Sequence, residues 1–402
     1  MPQENLHFDL CIIGASIAGN YLGHLLSKYN LKIAIIEEHK SVGKPLQCAG
    51  IISQKLDNLI DLPEFLVLNR VNTAKLISPS GEELEFSGEE NPYIVDRIAL
   101  DTYFYEKIRN SSKITYFLGE KFLSMKIKKH SKKKPIVIQT TKRKISAELI
   151  VGCDGPLSTV AEYFGVKNDL LYATQIRIQG NFNEDTAYMY FSPKWKELFG
   201  WIVPEGEKHY RIGLASANNI ADNFRIFLKN IGVSKKERID QQGGLIPYGM
   251  MNEIAFDRCL LLGDAAGQVK ATTGGGIVML LTASRFAAMC IKECFSKKIF
   301  SKKFIKRNYE RPCRATIGIQ LKLHYLISKT LERFTERDFK LAFRIIKREE
   351  INELVSIHGD MDFPKKIVFK LIRDTQVIMF ILKFLRRNLV YSLKILLDLI
   401  RN

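Results

Sequence analysis

The fold is decided by Phe8-Asp9-Leu10-Cys11-Ile12-Ile13-Gly14-Ala15-Ser16-Ile17-Ala18-Gly19 and, a little further on, by Lys32-Ile33-Ala34-Ile35-Ile36-Glu37. The run up to Ile13 is apolar and ends in glycine, as a strand buried inside a parallel sheet does. Leu22–Lys28 reads as a helix and Lys32–Ile36 as a second buried strand, so the stretch is a βαβ unit. Gly14 permits the tight turn between strand and helix, and Gly19 lets the helix pack on the strand. Ser16 stands where the usual pattern has a middle glycine, and as a small residue it still permits close approach. Backbone N–H groups at such a helix start, here from Ala15 onward, attract a dinucleotide pyrophosphate. Glu37 lies about twenty residues further on, where an acid bonds ribose hydroxyls, and Glu38 follows it.

Two more segments place glycine and acid after a strand. Ile150-Val151-Gly152-Cys153-Asp154-Gly155 has Ser158 behind it and, alone, would pass for an ordinary turn. Leu260-Leu261-Leu262-Gly263-Asp264-Ala265-Ala266-Gly267 leads through Thr272-Thr273 to Gly274-Gly275-Gly276-Ile277. Asp264 is positioned to accept from a ligand hydroxyl. Gly274, Gly275 and Gly276 expose N–H groups at a helix start, which favours an electron-rich oxygen. Three glycines in a row cost backbone entropy that a purely structural loop has no reason to spend.

The chain of 402 residues is too long for one simple core. Alternating patterns over about 71–95 and 172–215 predict an antiparallel sheet with one face available to a pocket. Ile114–Ile127, Ile136–Thr141 and Ile145–Gly152 read as three strand-like pieces, and the chain from about 277 onward as helix. Seven cysteines lie at 11, 48, 153, 259, 290, 294 and 313, with no spacing for zinc or an iron–sulfur cluster, so no metal is expected. Cys11, Cys153 and Cys259 sit in apolar runs and read as core. No disulfide framework is implied, and a reducing compartment follows. Met1–Asn5 is polar and carries no signal-peptide pattern. No stretch is apolar for long enough to span a bilayer; Val377–Ile400 is interrupted by Lys383, Arg386, Arg387, Lys394 and Asp398. A cytoplasmic protein, soluble or peripheral on the inner face of the membrane, is expected. The net charge of +18 attracts polyanions.

Taken in order, these signatures resemble the glutathione-reductase-type FAD proteins, and within them the branch shaped like p-hydroxybenzoate hydroxylase. Arg97, in Val95-Asp96-Arg97-Ile98-Ala99-Leu100-Asp101, matches that branch's arginine beside the flavin. Gly43-Lys44-Pro45-Leu46-Gln47-Cys48-Ala49-Gly50 is similar to the glycine–proline–cysteine loop of the geranylgeranyl reductase family. The run Gly263–Ile277 is very close to that family's flavin loop, and Tyr309-Glu310-Arg311 and Gly359-Asp360-Met361-Asp362-Phe363-Pro364 are similar to its helical C-terminal region. The match covers roughly residues 8–365. One departure stands out. The family signature P-x-x-Y-x-W-x-F-P is met by Lys196-Glu197-Leu198-Phe199-Gly200-Trp201-Ile202-Val203-Pro204, which keeps only Trp201 and Pro204.

The resemblance implies an α/β fold: a Rossmann-like FAD domain (1–70, 96–168 and 250–298), an antiparallel-sheet substrate domain (71–95 and 169–249) and a helical C-terminal region (299–402). It implies non-covalent FAD on Gly14, Ala15, Ser16, Gly19, Glu37, Glu38, Cys48, Ala49, Arg97, Asp154, Gly155, Asp264, Gly267, Gly274, Gly275, Gly276 and Ile277. Phe199, Trp201 and Pro204 form the implied wall for a polyprenyl chain, with core packing as the competing role. The implied reaction is hydride transfer from reduced FAD to an isolated alkene of a geranylgeranyl chain, with a proton reaching the other carbon. Cys48 is the one cysteine with a candidate catalytic role, either shaping the pocket or carrying protons, or it is a small packing residue. A membrane ether lipid is the expected substrate; free geranylgeranyl diphosphate and a chlorophyll-like ester stay open. The electron donor, NAD(P)H or ferredoxin-like, is undetermined.

The tail 365–402 holds nine basic residues (365, 366, 370, 373, 383, 386, 387, 394, 401) and two acids (374, 398). Ile378, Ile381, Leu382, Leu385, Leu389, Leu393, Leu396, Leu397 and Ile400 form one helical stripe, suited to an anionic membrane surface or to packing on the protein itself. Competing functions on this scaffold are a monooxygenase or halogenase, and electron transfer to quinone, for which the four-cysteine cluster site is missing. Nucleic-acid binding by charge alone lacks any motif and is not expected.

Overall fold

The computed structural model describes residues 6–45, 48–88, 90–127, 136–234, 237–249 and 251–394. Its centre is an eight-stranded sheet. Five strands run parallel in the order Cys259–Leu261, Lys144–Gly152, Leu6–Ile13, Ile33–Glu37, Ile114–Leu118. The leucines, isoleucines and valines of the central strands are almost wholly buried, each contributing about 1.5–3 kcal/mol by leaving water. Parallel strands covered on both faces need such continuous apolar runs, which is why the sequence reads so plainly here. The stretch Ile114–Ile127 divides into two strands. Ile114–Leu118 takes the parallel edge, while Phe122–Lys126 pairs antiparallel with Ile136–Thr140. Residues 128–135, in the lysine-rich stretch between these strands, lie outside the described residues.

The helix Ile17–Leu26 lies against Arg97–Ile108 and Ile277–Lys297; Tyr21 and Phe104 meet edge to face at 5.1 Å. Because the strands are parallel, their carboxyl ends share one rim. Ile13 pairs with both Ile36 and Gly152, and Gly152 with Leu261. The residues that follow these strand ends therefore lie side by side, as ligand sites in open α/β sheets do.

A second sheet has seven strands in the order Arg238–Pro247, Leu170–Gln179, His209–Ser216, Gly200–Gly206, Thr186–Tyr190, Thr73–Ile77, Glu83–Ser87. All pairs are antiparallel except Thr186–Tyr190 with Thr73–Ile77. One face packs on the helix Ile220–Asn230 through Trp195, Tyr210, Phe224 and Phe227. The opposite face presents Leu198, Trp201 and Val203. Tyr93–Val95 joins Ile51–Ile52 and Val67–Arg70 in a small third sheet.

Among the described residues the chain from Ile277 onward is mostly helical, as expected from its pattern, with two π-turns at Lys306–Glu310 and Arg314–Gly318. The helix Glu336–Ile346 starts with a capping box between Thr335 and Asp338. Among the described residues no helix is long and apolar enough to cross a membrane.

Candidate flavin site and the adjoining cavity

The strand-end rim opens into a cleft of about 580 Å³. Gly14 has φ +100°, and a Cβ there would sit 2.3 Å from the Cys153 carbonyl oxygen. The turn is therefore closed to any side chain, and this closeness lets the loop pass under a ligand. The N–H of Ala15 donates to Glu37 Oε2 at 2.8 Å, and the N–H of His39 to Oε1 at 2.9 Å. Glu37 is thus fixed at the end of its strand beside the helix start.

Asp154 is less available. Its Oδ1 accepts from the Ser158 hydroxyl at 2.6 Å and its Oδ2 from the Val160 N–H at 3.1 Å. Burial pushes its pKa up, and these hydrogen bonds oppose the shift. Asp264 is different. Burial raises its pKa to about 6, the only opposing influence being the charge of Arg97. Among the described residues no donor reaches its carboxylate, so it faces the cleft as an unused acceptor. Arg97 is buried, pairs with Asp101 at 3.1 Å, and lies close enough to Cys48 to feel its sulfur. Its Nε has no hydrogen-bond partner among the described residues. A buried orphan donor is costly, and a polar ligand in the cleft would satisfy both it and the unused Asp264 acceptor.

Gly274–Gly276 precede the helix Ile277–Lys297 and line the same cleft. Lys270 braces this turn: its carbonyl accepts from the N–H groups of Thr273 and Gly274, and its own N–H donates to Gly275 O. The Lys270 ammonium is buried and donates to Asp362 Oδ1 at 2.5 Å and Met361 O at 3.1 Å. Ser53 donates to the other Asp362 oxygen. His324 bridges Thr272 Oγ1 at 2.6 Å and the Asp362 carbonyl at 3.1 Å, which places its proton on Nε2. Burial, and next the charge of Lys270, lower its pKa to about 4, so it is neutral near pH 7. The glycine loop is thereby tied to segment 361–362.

Of the residues expected from sequence, Gly14, Ala15, Ser16, Glu37, Glu38, Cys48, Arg97, Asp154, Gly155, Asp264, Gly274, Gly275, Gly276 and Ile277 line this one cleft. Three do not. Gly19 packs under the Gly14 carbonyl, and Gly267 ends the short turn Gly263–Ala266 in a left-handed conformation. Ala49 belongs to a second cavity. Lys270, Asp362, Ser53 and Gly244–Pro247 also line the cleft and were not expected. The strand Arg238–Pro247 has no clean alternation, and nothing local links Lys270 to a residue 92 positions away.

The second cavity is predominantly apolar and has a volume of about 1060 Å³. Phe199 and Trp201 line it. Pro204 does not: it is buried in its strand, its carbonyl accepting from Asn69 Nδ2. The indole of Trp201 lies flat on Gly213, where a Cβ would come within 2.2 Å of the ring. Its N–H donates to Gln175 Oε1 at 3.1 Å, and the Gln175 amide donates to Gln242 Oε1 at 2.7 Å and to Cys48 O at 3.1 Å. Arg211 donates to Ala49 O at 2.8 Å. The sheet thus holds the Cys48–Gly50 loop as well as the cavity wall. The far wall comes from His324, Ile327 and segment 355–371. Cleft and cavity share Cys48, Ile51, Gly244–Ile246, Gly274 and Gly275, so the two spaces meet there. Cys11, Cys153 and Cys259 are buried, as read from their apolar runs. Among the described residues no group of side chains could hold a metal ion.

This sheet, with its strand-end acids and glycine loop, has the fold of FAD-dependent oxidoreductases, and the cleft residues present fit FAD. No protein-family model matches the chain. It is 24% identical over 381 residues to an uncharacterised protein of Methanocaldococcus jannaschii, covering 92% of this chain and 96% of that one. It is 23% identical over 377 residues to digeranylgeranylglycerophospholipid reductase 1 of Methanococcoides burtonii, covering 89% of each. The fold is that of a geranylgeranyl bacteriochlorophyll reductase-like protein from Thermoplasma acidophilum (TM-score 0.79, 18% identity, 96% of this chain and 99% of that one). The fold also extends to monooxygenases: p-nitrophenol 4-monooxygenase from Pseudomonas putida superposes with a TM-score of 0.68 at 13% identity, over 92% and 98% of the two chains. Over most of its length, then, this chain is similar to proteins named as digeranylgeranylglycerophospholipid reductases.

Proposed function

We propose that the protein is an FAD-dependent reductase that hydrogenates isolated C=C bonds of geranylgeranyl chains, with a digeranylgeranylglycerophospholipid as substrate. One observation carries this reading: the dinucleotide cleft opens, at Cys48, Gly244–Ile246 and Gly274–Gly275, into a large, predominantly apolar cavity. An aromatic hydroxylase needs room for one ring, whereas about 1060 Å³ suits a chain. Glu37 and the helix start at Ala15 would hold the adenosine and pyrophosphate part of FAD. Asp264 and Arg97 would meet its hydroxyl and flavin groups, and Gly274–Gly276 its electron-rich carbonyl. Reduced FAD supplies the hydride.

The protein's own part is alignment. An isolated alkene has no carbonyl to polarise, so the reacting carbon must be held close and oriented. Trp201, fixed by Gln175 and Gly213, gives the chain a rigid wall. Cys48 lies at the junction, where its sulfur accepts from the Gly50 N–H at 3.3 Å; it shapes that point or passes the proton to the second carbon.

The tail supports action at a membrane. The helix Thr375–Arg387 packs inward through Phe380 and Phe384, which meet Phe334. The stripe of Ile378, Leu382, Leu385, Leu389 and Leu393 is left exposed, with Lys383 and Arg386 beside it. Leu396, Leu397 and Ile400 lie outside the described residues. A basic helix with an exposed apolar face suits an anionic lipid surface. The electrons come from an external donor, NAD(P)H or ferredoxin-like.

The test is anaerobic incubation of FAD-loaded, dithionite-reduced protein with geranylgeranyl lipids, read by mass spectrometry. Each reduced double bond adds two hydrogens. No mass gain with any polyprenyl substrate would sink the reductase reading. Peroxide or hydroxylated product on admitting oxygen would favour a monooxygenase.

A further inference from the structure

The apolar cavity has a charged rim on the side of segment 355–371, and its cations are of two kinds. Lys55 is neutralised, by Glu90 at 3.1 Å and Asp360 at 3.0 Å. His358 and Lys366 line the same rim, and Lys370 Nζ donates to His358 Nε2 at 2.5 Å. Among the described residues neither Lys366 nor Lys370 forms an ion pair; the nearby Asp374 is taken by Arg348. Desolvation, and then the charges of Lys370 and Lys366, lower the pKa of His358, which keeps the imidazole neutral and able to accept from Lys370. Lys366 and Lys370 are four apart on the helix Lys365–Leu371 and so share a face. The C-terminal end of the helix Glu349–His358 favours one neighbouring cation. A second lysine close enough for its charge to act on the same imidazole, and without an ion pair among the described residues, exceeds that need, because like charges on one helix face repel.

The surroundings state what an occupant must look like. Beside the cluster the cavity lining includes Ile367 and Leu371, and elsewhere the Trp201 wall. Outward, Ile357, Phe369 and Ile372 are exposed. A ligand that fills both regions has an anionic head and a long apolar chain. We infer that His358, Lys366 and Lys370 form the subsite for the phosphoryl group of a phosphorylated prenyl substrate, which enters chain-first and is anchored at the rim. This rests on the prenyl reductase reading for the nature of the chain. The phosphoryl group belongs either to a glycerophospholipid or to a prenyl diphosphate.

The test reads binding separately from turnover. FAD-loaded full-length protein is titrated with digeranylgeranylglyceryl phosphate and geranylgeranyl diphosphate, and with the phosphate-free digeranylgeranylglycerol and geranylgeraniol, by quenching of tryptophan fluorescence. With two charge-assisted contacts, wild type should prefer the phosphorylated member of at least one pair by about tenfold or more. The pair that shows the preference identifies the source of the phosphate. K366Q/K370Q should lose the preference while binding the phosphate-free ligands within about twofold of wild type. K366R/K370R should keep it. The inference is overturned if wild type shows no preference, if K366Q/K370Q keeps it, or if that variant weakens both members of a pair equally. Loss of anionic-vesicle binding in K366Q/K370Q with the preference intact would likewise overturn it, assigning these lysines to the membrane instead. Wild type that binds with the preference but reduces no double bond would refute the reductase reading and leave the subsite standing.

Discussion

Replacing Asp264 by asparagine should stabilise the cofactor-free protein at alkaline pH while weakening the cofactor's hold. The carboxylate is half-buried at the cleft wall, no donor reaches it among the described residues, and its pKa rises from 3.8 to about 6. Below about pH 3.8 it is neutral in both folded and unfolded chains. Between about 3.8 and 6 the folded state holds a proton that the unfolded state has lost, so stability falls by about 1.4 kcal/mol per pH unit. Above pH 6 the full cost, about 3 kcal/mol, is present. Asparagine never ionises. The stability difference between D264N and wild type should therefore move in favour of the variant by about 3 kcal/mol from pH 3.8 to pH 8. For a chain of 402 residues, with an unfolding entropy of about 2.1 cal/mol/K per residue, that is roughly 3–4 °C in Tm. The assay is thermal or urea unfolding of both cofactor-free proteins across this range. Saturating FAD should narrow the difference at pH 8 by about 1.4–2.7 kcal/mol, because the ionised carboxylate is the stronger acceptor for a ligand hydroxyl. FAD should bind D264N about 10–100-fold more weakly. A stability difference that stays flat with pH would refute the claim that Asp264 is a strained, unpaired acceptor.

Other outcomes follow from named contacts. Gly14→Ala should abolish FAD retention and cost more than about 2 kcal/mol, since its Cβ has no room and φ is positive; absorbance at flavin wavelengths and unfolding check both. Gln175→Leu should strand the buried Trp201 N–H, costing about 1–3 kcal/mol, and should raise the KM for prenyl substrates while FAD affinity stays unchanged; equal loss of both would mean that the effect is general. K383Q/R386Q on the outer tail helix should weaken sedimentation with anionic vesicles by about 1 kcal/mol per charge and leave turnover of a detergent-dispersed substrate intact. Unaltered vesicle binding would leave the exposed stripe without a membrane role.

The dinucleotide half of the site was legible because its determinants are local. A buried parallel strand, a glycine turn, a helix start and a strand-end acid each leave a signature within a few residues. Gly14, Glu37, Asp154 and Asp264 needed only the parallel sheet to bring their strand ends together. The same locality explains the residues that lie off the cleft and the cavity wall. Gly267 and Gly19 belong to the motifs by spacing but serve turn and packing, and Pro204 by alignment but is walled into its strand. The tail's outer stripe could be read from helical periodicity. That Phe380 and Phe384 give the same helix a second, inward apolar face could not, since one period cannot say which face finds a partner.

By itself the sequence determined the strand–glycine–acid rim and the class of cofactor that fits it, because hydrogen bonding and sterics within each short segment leave little choice. Tertiary structure alone decided the size and course of the apolar cavity. Its walls come from residues 48–92, 173–246, 272–275 and 324–371, brought together by contacts such as Gln175 to Cys48, Arg211 to Ala49 and Lys270 to Asp362. Those pairings span tens to more than a hundred positions. They are set by how sheets and helices pack, a property of the whole chain that no local pattern encodes.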